Sequence, residues 1–304
     1  MFLSSDPFIS VIIPTYGRPV ALQRCVGSLL GQQCSLRGFE IVVVDDGSYP
    51  PLLSSLPAEF IHDSRIVFLR QNHQGVSAAR AIGITSARGH ILAFVDDDCT
   101  VPPDYLESID RLFRSHPETM VAQVGLENPD PNNIYGKAWK FALDRTLEIN
   151  LHPDGNKRLT CGILGGVMLA RREVFTVAAH DPAFVRGRED ADLRYQLQRL
   201  NVAVFYEPQI KVFHHYRQTL RGYLTTFFEY GRCEFHLQQK WSGTASPFKY
   251  PRLTSWQALR SLIGTEGLVR GVEIYCLLWL KRHAGLLGVW YEKAIGKIPD
   301  NRTL

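Results

Sequence analysis

Four short runs rich in Val and Ile alternate with helical patterns in the first part of the chain, and this alternation constrains the fold more than any other feature. Strands that alternate with helices form βαβ units with right-handed crossovers, which pack into an open parallel sheet. The sequence therefore predicts an α/β fold with a mostly parallel, Rossmann-like sheet flanked by helices. The apolar runs are Phe8–Ile13, Phe39–Val44, Ile66–Leu69 and Ile91–Val95, and the intervening helical patterns are Leu22–Leu30 and Val76–Ala87.

Polar motifs follow three of the four predicted strands. In sheets of this kind, ligands bind beyond the carboxyl ends of the strands, so we expect the three motifs to meet at one edge. Successive side chains of a strand point to opposite faces, which predicts that Asp96 and Asp98 share a side while Asp97 points away. The motifs are Pro14-Thr15-Tyr16, Asp45-Asp46 and Asp96-Asp97-Asp98.

The aspartate triplet at residues 96–98 has two interpretations from its residues alone. Two converging carboxylates repel each other unless a cation lies between them, and their oxygens suit Mg²⁺ or Mn²⁺. The alternative is a strand that ends in a solvated acidic turn. Pro14 stands where a dinucleotide-binding fold needs its first glycine, and neither G-x-G-x-x-G nor a P-loop is present. The carboxylates instead suit a nucleotide whose phosphates arrive with a metal ion.

Charge is distributed unevenly along the 304 residues. The net charge is +4, but the segment from Lys240 onward holds ten Lys or Arg against four Asp or Glu, which gives +6. Four of the five tryptophans also lie in this basic tail (residues 240–304). Basic residues with interleaved aromatics suit a membrane surface, whereas helical spacing of apolar residues suits packing against the protein body. The helically spaced residues are Leu268, Val272, Tyr275, Cys276 and Trp279.

The cysteines and the lengths of the apolar runs indicate the compartment. The six cysteines are scattered without a C-x-x-C pair, which argues against a disulfide framework and structural zinc and fits a reducing compartment. The N-terminus has neither a basic region nor a long apolar one, and no run approaches the roughly 18 apolar residues of a spanning helix. We therefore expect a cytoplasmic protein, with contact to the inner face of the membrane as the alternative that the basic tail offers.

An acidic pair, Glu189-Asp190, opens a predicted helix in the second half of the chain. The helical pattern runs to about Leu200, and carboxylates in a first turn favour the positive end of the helix dipole. The glycines of the upstream stretch predict a strand that passes close to a ligand. The other predicted elements are this strand at Cys161–Ala170, short strands at Val202–Tyr206 and Ile210–Phe213, and a helix at Tyr223–Gln239.

Four motifs in register resemble family 2 glycosyltransferases of the GT-A fold. The likeness covers about residues 8–215 and implies a nucleotide-sugar donor, a divalent cation (Mn²⁺ or Mg²⁺) and transfer with inversion at the anomeric carbon. It also implies a donor-binding half at residues 1–117, an acceptor half of the same GT-A domain at 118–215, and a helical, basic, Trp-rich extension at 216–304. The motifs are Val11–Tyr16, Val44–Ser48, the aspartate triplet and Gly187–Asp190.

The resemblance assigns the donor contacts to the first half of the chain. Asp46, next to Asp45, matches the residue that accepts a hydrogen bond from the imide N–H of a uracil- or thymine-like base, and Pro14 and Tyr16 would flank that base. Arg80 would face the pyrophosphate, which a planar cation suits. From the residues alone, the two aspartates can instead cap the turn that follows them, and Arg80 can be an ordinary salt-bridged residue.

Metal ligands also follow from the resemblance. Asp98 matches the direct metal ligand and Asp96 matches the residue near the ribose and the metal, while Asp97 is grouped with the donor contacts. In some relatives a His in the region of His214 and His215 completes the metal shell or touches the donor phosphate, which implies His214 as a candidate further ligand. The alternative for this pair is a structural or exposed position at the end of a strand.

Asp190, with Glu189 beside it, matches the general base of the family. An acceptor hydroxyl is a poor nucleophile until a carboxylate within hydrogen-bond reach takes its proton. The alternative is a charge that only stabilises the helix N-terminus. No Gln-x-x-Arg-Trp motif follows Asp190 and no spanning helix is predicted, which differs from the processive polysaccharide synthases and favours transfer of a single sugar. Gly17 stands where many relatives have Asn.

The leading hypothesis is a metal-dependent, inverting glycosyltransferase of cell-surface glycan biosynthesis. It would move one sugar from a UDP- or dTDP-sugar to a glycan, lipid-linked or small-molecule acceptor, with no nucleic-acid partner. A nucleotidyltransferase is the second hypothesis, but it needs a Gly- and Lys-rich loop after the first strand that Pro14–Arg18 does not provide. A non-catalytic module that binds a sugar or nucleotide is the third.

Overall fold

A computed structural model describes residues 9–33, 38–151, 158–159, 165–246 and 249–295. Its strands are β1 (Ile9–Thr15), β2 (Phe39–Asp45), β3 (Ile66–Arg70), β4 (Ile91–Phe94), β5 (Cys99–Thr100), β6 (Val121–Glu127), β7 (Arg158–Leu159), β8 (Met168–Arg171) and β9 (Val204–His214). Within the described ranges they form one sheet in the order β3-β2-β1-β4-β8-β6-β9-β5, with β7 paired to β9.

The sheet joins a parallel part to a mixed part. Strands β3, β2, β1 and β4 run parallel, as the alternation of strands and helices predicts. Strand β8 runs antiparallel to both β4 and β6, and β9 is parallel to β6. The helices are α1 (Pro19–Leu30), α2 (Ala58–Ile61), α3 (Val76–Ser86), α4 (Tyr105–Ser115), α5 (Ile134–Asn150), α6 (Glu189–Arg199), α7 (Leu220–Lys240), α8 (Trp256–Glu266) and α9 (Leu268–Ile295).

Alternating side chains of the central strands build a core on each face of the sheet. Val11 and Ile13 of β1 face a core that contains Leu22 of α1 and Ile109 of α4. Ile12 lies between them in the chain and faces the opposite core, which receives residues of α3 and α6. Because both faces are covered, these strands are apolar almost throughout, as expected for buried parallel strands.

Two predicted elements of the second half differ in the structure. The two short strands after α6 are one strand, β9, whose register against β6 shifts between Val124 and Gly125. Pro208 lies at this irregularity; because proline lacks an N–H donor, it interrupts the ladder and mimics a strand end in the sequence. In the predicted strand at Cys161–Ala170, residues 161–164 lie outside the described ranges, Gly165–Val167 is a 3₁₀ turn, and β8 follows.

The C-terminal helices pack as a layer against α5, with α9 in contact with α5, α7 and α8. The buried residues of α9 include Ile274, Leu277 and Leu278. Glycines allow a close approach, because a Cβ at Gly288 would collide with the carbonyl oxygen of Phe228 on α7. No helix in the described part of the chain combines the length and mean hydropathy needed to cross a membrane.

A further difference concerns the apolar stripe of α9, for which packing against the protein body was one of two interpretations. Leu268 and Trp279 are 66% and 49% exposed, and Val272 and Cys276 are exposed beside them, whereas Tyr275 is half-buried. The buried stripe of α9 lies on another face of the helix. Periodicity identified apolar positions correctly, but two apolar stripes run along this helix and only one of them is covered.

Substitution of Gly288 by Ala should lower the free energy of unfolding by about 1–3 kcal/mol, because the added methyl group forces α9 away from α7. Gly264→Ala is the matched control, since no atom lies within 4 Å of a Cβ there and alanine favours a helix by about 1 kcal/mol. Urea unfolding of both variants tests this. Equal stabilities for the two variants would contradict the close packing of α7 and α9.

Candidate active site

A cleft of about 1100 Å³ opens at the carboxyl edge of the parallel strands. The ends of β1 and β4, the N-terminus of α6 and the inner faces of α7 and α9 line it. Motifs from both halves of the chain therefore meet in one cavity. The predicted site residues that line it are Pro14, Tyr16, Asp46, Arg80, Asp96, Asp97, Asp98, Glu189, Asp190 and His214.

The aspartate triplet turns around Arg18. Strand β4 ends at Phe94, so strand alternation does not extend to the triplet and Asp97 does not point away from the cleft. Asp97 accepts hydrogen bonds from Thr15 Oγ1 at 2.8 Å and from Arg18 Nη1 at 3.0 Å. The same Nη1 lies 2.7 Å from Asp98 Oδ2. One guanidinium thus offsets the repulsion between two neighbouring carboxylates.

Burial and charge act differently on the two carboxylates that Arg18 joins. Burial raises the pKa of Asp97 to about 7, although the Arg18 charge opposes this. Burial also acts on Asp98, but the hydrogen bond and charge of His214, together with Arg18, outweigh it and hold the pKa of Asp98 well below its ordinary value. Asp98 is therefore the carboxylate of this pair that stays ionised most firmly.

His214 reaches Asp98 through strand pairing. Antiparallel pairing of β5 with β9 sets His214 opposite Cys99, and His214 Nε2 lies 3.1 Å from Asp98 Oδ1. His215 instead bonds Thr100 Oγ1 at 3.1 Å, which is a structural role. Of the two histidines, only His214 lines the cleft.

Asp98 and His214 fit a divalent metal ion, because a carboxylate oxygen and an imidazole nitrogen converge at one point. Their donor atoms and the Cys99 thiol lie within 4.8 Å of one another. Burial and the nearby aspartates raise the pKa of Cys99 well above its usual range, which keeps it a neutral thiol and a poor ligand for a hard cation. Asp96, the other expected ligand, is held by Arg80 at 2.7 Å.

Arg80 joins the two halves of the cleft. Its side chain is 3% exposed and contacts Asp96 at the end of β4 and Glu189 at the start of α6. Burial disfavours the charged guanidinium, but these carboxylates together with Asp190 raise the pKa of Arg80 further. Gly166 lies on the other side of Asp96, where any Cβ would collide with the carboxylate. Arg80 is thus salt-bridged inside the cleft.

The Asp46 carboxylate at one end of the cleft is already saturated with hydrogen bonds from the protein itself. The Asp46 carboxylate accepts hydrogen bonds from the amide N–H groups of Gln74 at 2.8 Å and Gly75 at 2.9 Å. Gln71 Nε2 and His73 Nδ1 are its other two polar neighbours. A carboxylate offers about four acceptor positions, so all of them are in use. A base imide would have to displace one of these donors.

Asp45 and Tyr16 have opposite surroundings. Asp45 accepts from the Ser48 N–H at 2.9 Å and from Arg70 at 2.6 Å, and it does not line the cleft. Asp45, which was expected among the donor contacts, instead caps the turn at Ser48 and joins this turn to β3 through Arg70. Tyr16 is 51% exposed and its ring stacks on His73 with centroids 4.3 Å apart.

Glu189 and Asp190 form the acidic N-terminus of α6. Arg188 precedes them with a left-handed backbone (φ 69°), and Asp190 Oδ1 accepts from the Ala191 N–H at 2.7 Å. Burial raises the pKa of the Tyr230 hydroxyl, and the charges of Asp190 and Glu189 add to this, so Tyr230 lies close to both carboxylates. Asp190 therefore fits the helix-end interpretation and also lines the cleft.

Sequence patterns missed several residues that build the cleft. Arg18 follows the Pro14-Thr15-Tyr16 motif, and this proximity was a usable signal. Trp139 stands near His214, with ring centroids 6.1 Å apart, but it comes from α5, which carries no recognisable motif. Lys281 enters from α9, far along the chain. Such residues are brought in by helix packing, which leaves no local signal.

Comparison with known proteins identifies related sequences for the first part of the chain. The family described as "Glycosyl transferase family 2" matches residues 10–176. Glycosyltransferase AglE of Haloferax volcanii is 35% identical over 106 residues, which cover 34% of this chain and 34% of that protein. Validoxylamine A glucosyltransferase of Streptomyces hygroscopicus subsp. jinggangensis is 36% identical over 108 residues, covering 35% and 25%. The matched regions thus span about a third or less of these relatives.

The whole fold is similar to a solved structure. The crystal structure of S. aureus TarS 1-349 superposes with a TM-score of 0.51 over 95% of this chain and 91% of that chain, at 13% identity. At this identity the likeness concerns the fold alone. It confirms the predicted GT-A type of α/β fold with helices at the C-terminus.

Removal of Arg80 should leave Glu189 as an uncompensated buried charge. We expect Arg80→Met to lower the free energy of unfolding by about 3–5 kcal/mol, and Arg80→Met with Glu189→Gln to recover part of this loss. Arg114→Met is the control, because its ion pair with Asp110 is exposed and worth about 0–1 kcal/mol. Denaturant unfolding of these three variants and of Glu189→Gln alone gives the coupling energy between Arg80 and Glu189. If the stability changes of the two single variants simply add up to that of the double variant, the buried ion pair is contradicted.

Proposed function

Because this chain belongs to glycosyl transferase family 2, we propose that it transfers a single sugar from a nucleotide-sugar donor to an acceptor hydroxyl, with inversion at the anomeric carbon. The observation that carries this proposal is one cleft lined by the aspartate triplet of the first half and by Asp190 of the second. Leaving-group stabilisation and proton removal are thereby available from different walls of the same cavity.

We propose that the donor is a UDP- or dTDP-sugar whose base enters beside Tyr16. The half-exposed Tyr16 ring already stacks on His73, so a flat base can extend or replace this stack. The His73 side chain is 48% exposed, which makes it the neighbour of Asp46 that is most readily exchanged for the base imide. The donor-binding role of Pro14 is supported by its position in the cleft wall.

The proposed cofactor is Mn²⁺ or Mg²⁺, held by Asp98 and His214. Bound there, the ion would act as a Lewis acid that stabilises negative charge on the leaving diphosphate. Asp96 stays with Arg80, and Asp97 stays with Thr15 and Arg18. Both residues therefore position the site instead of contacting the ion in this arrangement.

Asp190 is the proposed general base. As its carboxylate takes the acceptor proton, a bond forms between the acceptor oxygen and the anomeric carbon while the bond from that carbon to the diphosphate oxygen breaks. Attack from the face opposite the leaving group gives inversion. Glu189 holds Arg80 and thereby fixes the first turn of α6, which positions Asp190 next to it.

Two substitutions should separate proton removal from donor binding. Asp190→Asn should lower kcat by about 10²–10⁴-fold and leave donor affinity unchanged, because only the base is lost. Asp98→Asn should abolish the Mn²⁺ dependence of UDP binding. Calorimetric titration with UDP measures donor affinity and its dependence on Mn²⁺, and hydrolysis of a panel of nucleotide sugars measures turnover. Asp45→Asn is the control, because Asp45 does not line the cleft. Its turnover and its Mn²⁺-dependent UDP binding should equal those of the wild type.

Each result has a contrary outcome. Unchanged turnover in Asp190→Asn would remove the base assignment. UDP affinity that is equal with and without Mn²⁺ in the wild-type chain would remove the metal site. Donor binding without any turnover in the wild-type chain would favour a non-catalytic binding module.

We further propose that the outer face of α9 lies on an anionic membrane surface, on the cytoplasmic side. Trp290 and Trp279 are 68% and 49% exposed on this face, which extends along a helix about 42 Å long. Exposed tryptophans beside lysine and arginine are typical of helices that lie in a membrane interface. The apolar residues exposed along the helix are Leu268, Val269, Val272, Trp279, Leu286, Leu287 and Trp290.

The charges around this face complement anionic lipid. Arg282 and Lys293 are exposed on α9. Of the two acids in α9, Glu292 is 1% exposed and turned inward against Arg232 at 2.6 Å, and the exposed Glu273 lies 4.0 Å from Arg270. Such a surface would suit a lipid-linked or membrane-bound glycan acceptor, in keeping with a role in cell-surface glycan biosynthesis.

Replacement of Trp279 and Trp290 together by Gln should weaken binding to vesicles that contain anionic lipid, because interfacial apolar area is lost. Wild-type binding should also fall with added salt. Vesicle flotation measures both effects, and Tyr49→Gln is the control because Tyr49 is 96% exposed in the donor half. A chain that ignores vesicles and forms a dimer that these substitutions dissociate would show that a second copy covers the face.

A further inference from the structure

Lys281 differs from Arg18, Arg80 and Arg188, which line the same cleft. It projects from the inner face of α9, and its Nζ lies 4.7 Å from the centroid of the Phe227 ring. No carboxylate in the described ranges lies within ion-pair distance of it. By contrast, Arg18 and Arg80 are paired with the aspartate triplet, and Arg188 lies within 3.1 Å of a glutamate.

Lys281 lies on the wall of the cleft that the C-terminal helices form. The charged group that acts on it is Arg188, at the N-terminus of α6, while α7 presents the uncharged Phe227 ring. Arg188 in turn lies in the field of Asp190, the proposed base. Lys281 and Asp190 thus both have Arg188 as a charged neighbour, and both line the cleft.

Two further cations extend this positive region to the rim of the cleft. Arg217 and Arg221 flank the start of α7; both are exposed and both line the cleft. Neither is within ion-pair distance of a carboxylate among the described residues. Lys281, Arg217 and Arg221 thus line the cleft without an acidic partner among the described residues, whereas Arg18, Arg80 and Arg188 are paired.

We propose that Lys281, with Arg217 and Arg221 at the rim, binds an anionic group of the acceptor, either a phosphate or a carboxylate. This inference rests on the proposed function, because Asp190 defines the acceptor side. A largely buried ammonium without a counter-ion is costly to desolvate, and an anionic acceptor would supply charge-assisted hydrogen bonds where water is scarce. The sugar would then be added to a hydroxyl of the same molecule, within reach of Asp190.

The protonation of Lys281 gives this subsite a pH dependence. Burial, with a contribution from Arg188, lowers the pKa of Lys281 to about 8. Lys281 is charged below this pH and neutral above it. Anion binding should therefore be strongest below pH 8 and weaken as the pH rises through that value. The guanidinium of Lys281→Arg stays charged above pH 8, so anion binding by this variant should not weaken as the pH rises.

The test uses inorganic phosphate as the probe, with acetate as the carboxylate counterpart. Calorimetric titration is carried out on the full chain saturated with UDP and Mn²⁺, so that phosphate cannot bind the donor half. Lys281→Met should weaken phosphate binding about tenfold or more, whereas Lys281→Arg should retain it. Lys211→Met is the matched control, because Lys211 is exposed on β9 and does not line the cleft.

The outcomes separate this inference from the proposed function. Equal phosphate affinity in wild type and Lys281→Met, with UDP still bound, overturns the anion subsite and leaves the transferase proposal intact. Failure of the wild-type chain to bind either UDP or dTDP overturns the proposed function, and the phosphate titration then tests the subsite alone. Tighter binding of phosphate than of acetate assigns a phosphorylated acceptor, and the reverse assigns a carboxylated one.

Discussion

The guanidinium of Arg80 is the interaction on which the cleft depends. It lies on α3, 2% exposed, and contacts one carboxylate at the end of β4 and another at the start of α6. These groups are far apart in the chain, and α6 belongs to the second half. Because a buried guanidinium cannot be left unpaired without a large cost, the first turn of α6 is held against the end of β4. The distance between the proposed base and the proposed metal ligand is set by this contact.

The C-terminal helices form the walls of the cleft that the strand ends do not supply. Helix α9 has two different faces, since Lys281 lines the cleft and Trp279 and Trp290 are exposed on the outside. A helix with its side chains is about 10–12 Å across, so the proposed anion subsite lies about one helix diameter from the proposed membrane surface. An acceptor with a charged group near a membrane anchor would fit both features together.

Local patterns predicted the parallel part of the fold well. Strands β1 to β4 and the start of α6 lie where apolar runs and the acidic pair indicated. The predicted geometry of the aspartate triplet was wrong because β4 ends at Phe94, so Asp97 turns inward to Thr15 and Arg18. Periodicity also found the apolar positions of α9, but it carried no information on which stripe a neighbouring helix would cover.

The sequence by itself determined the βα alternation and the polar chemistry at the strand ends, because both follow from local backbone preference and from the order of residues along one strand. Only the tertiary structure decided which side chains share a site. His214 reaches Asp98 because β5 pairs with β9, and Lys281 enters the cleft because α9 packs on α7. Such contacts join residues that are distant in the chain, and they depend on strand register and helix packing, which no local spacing encodes.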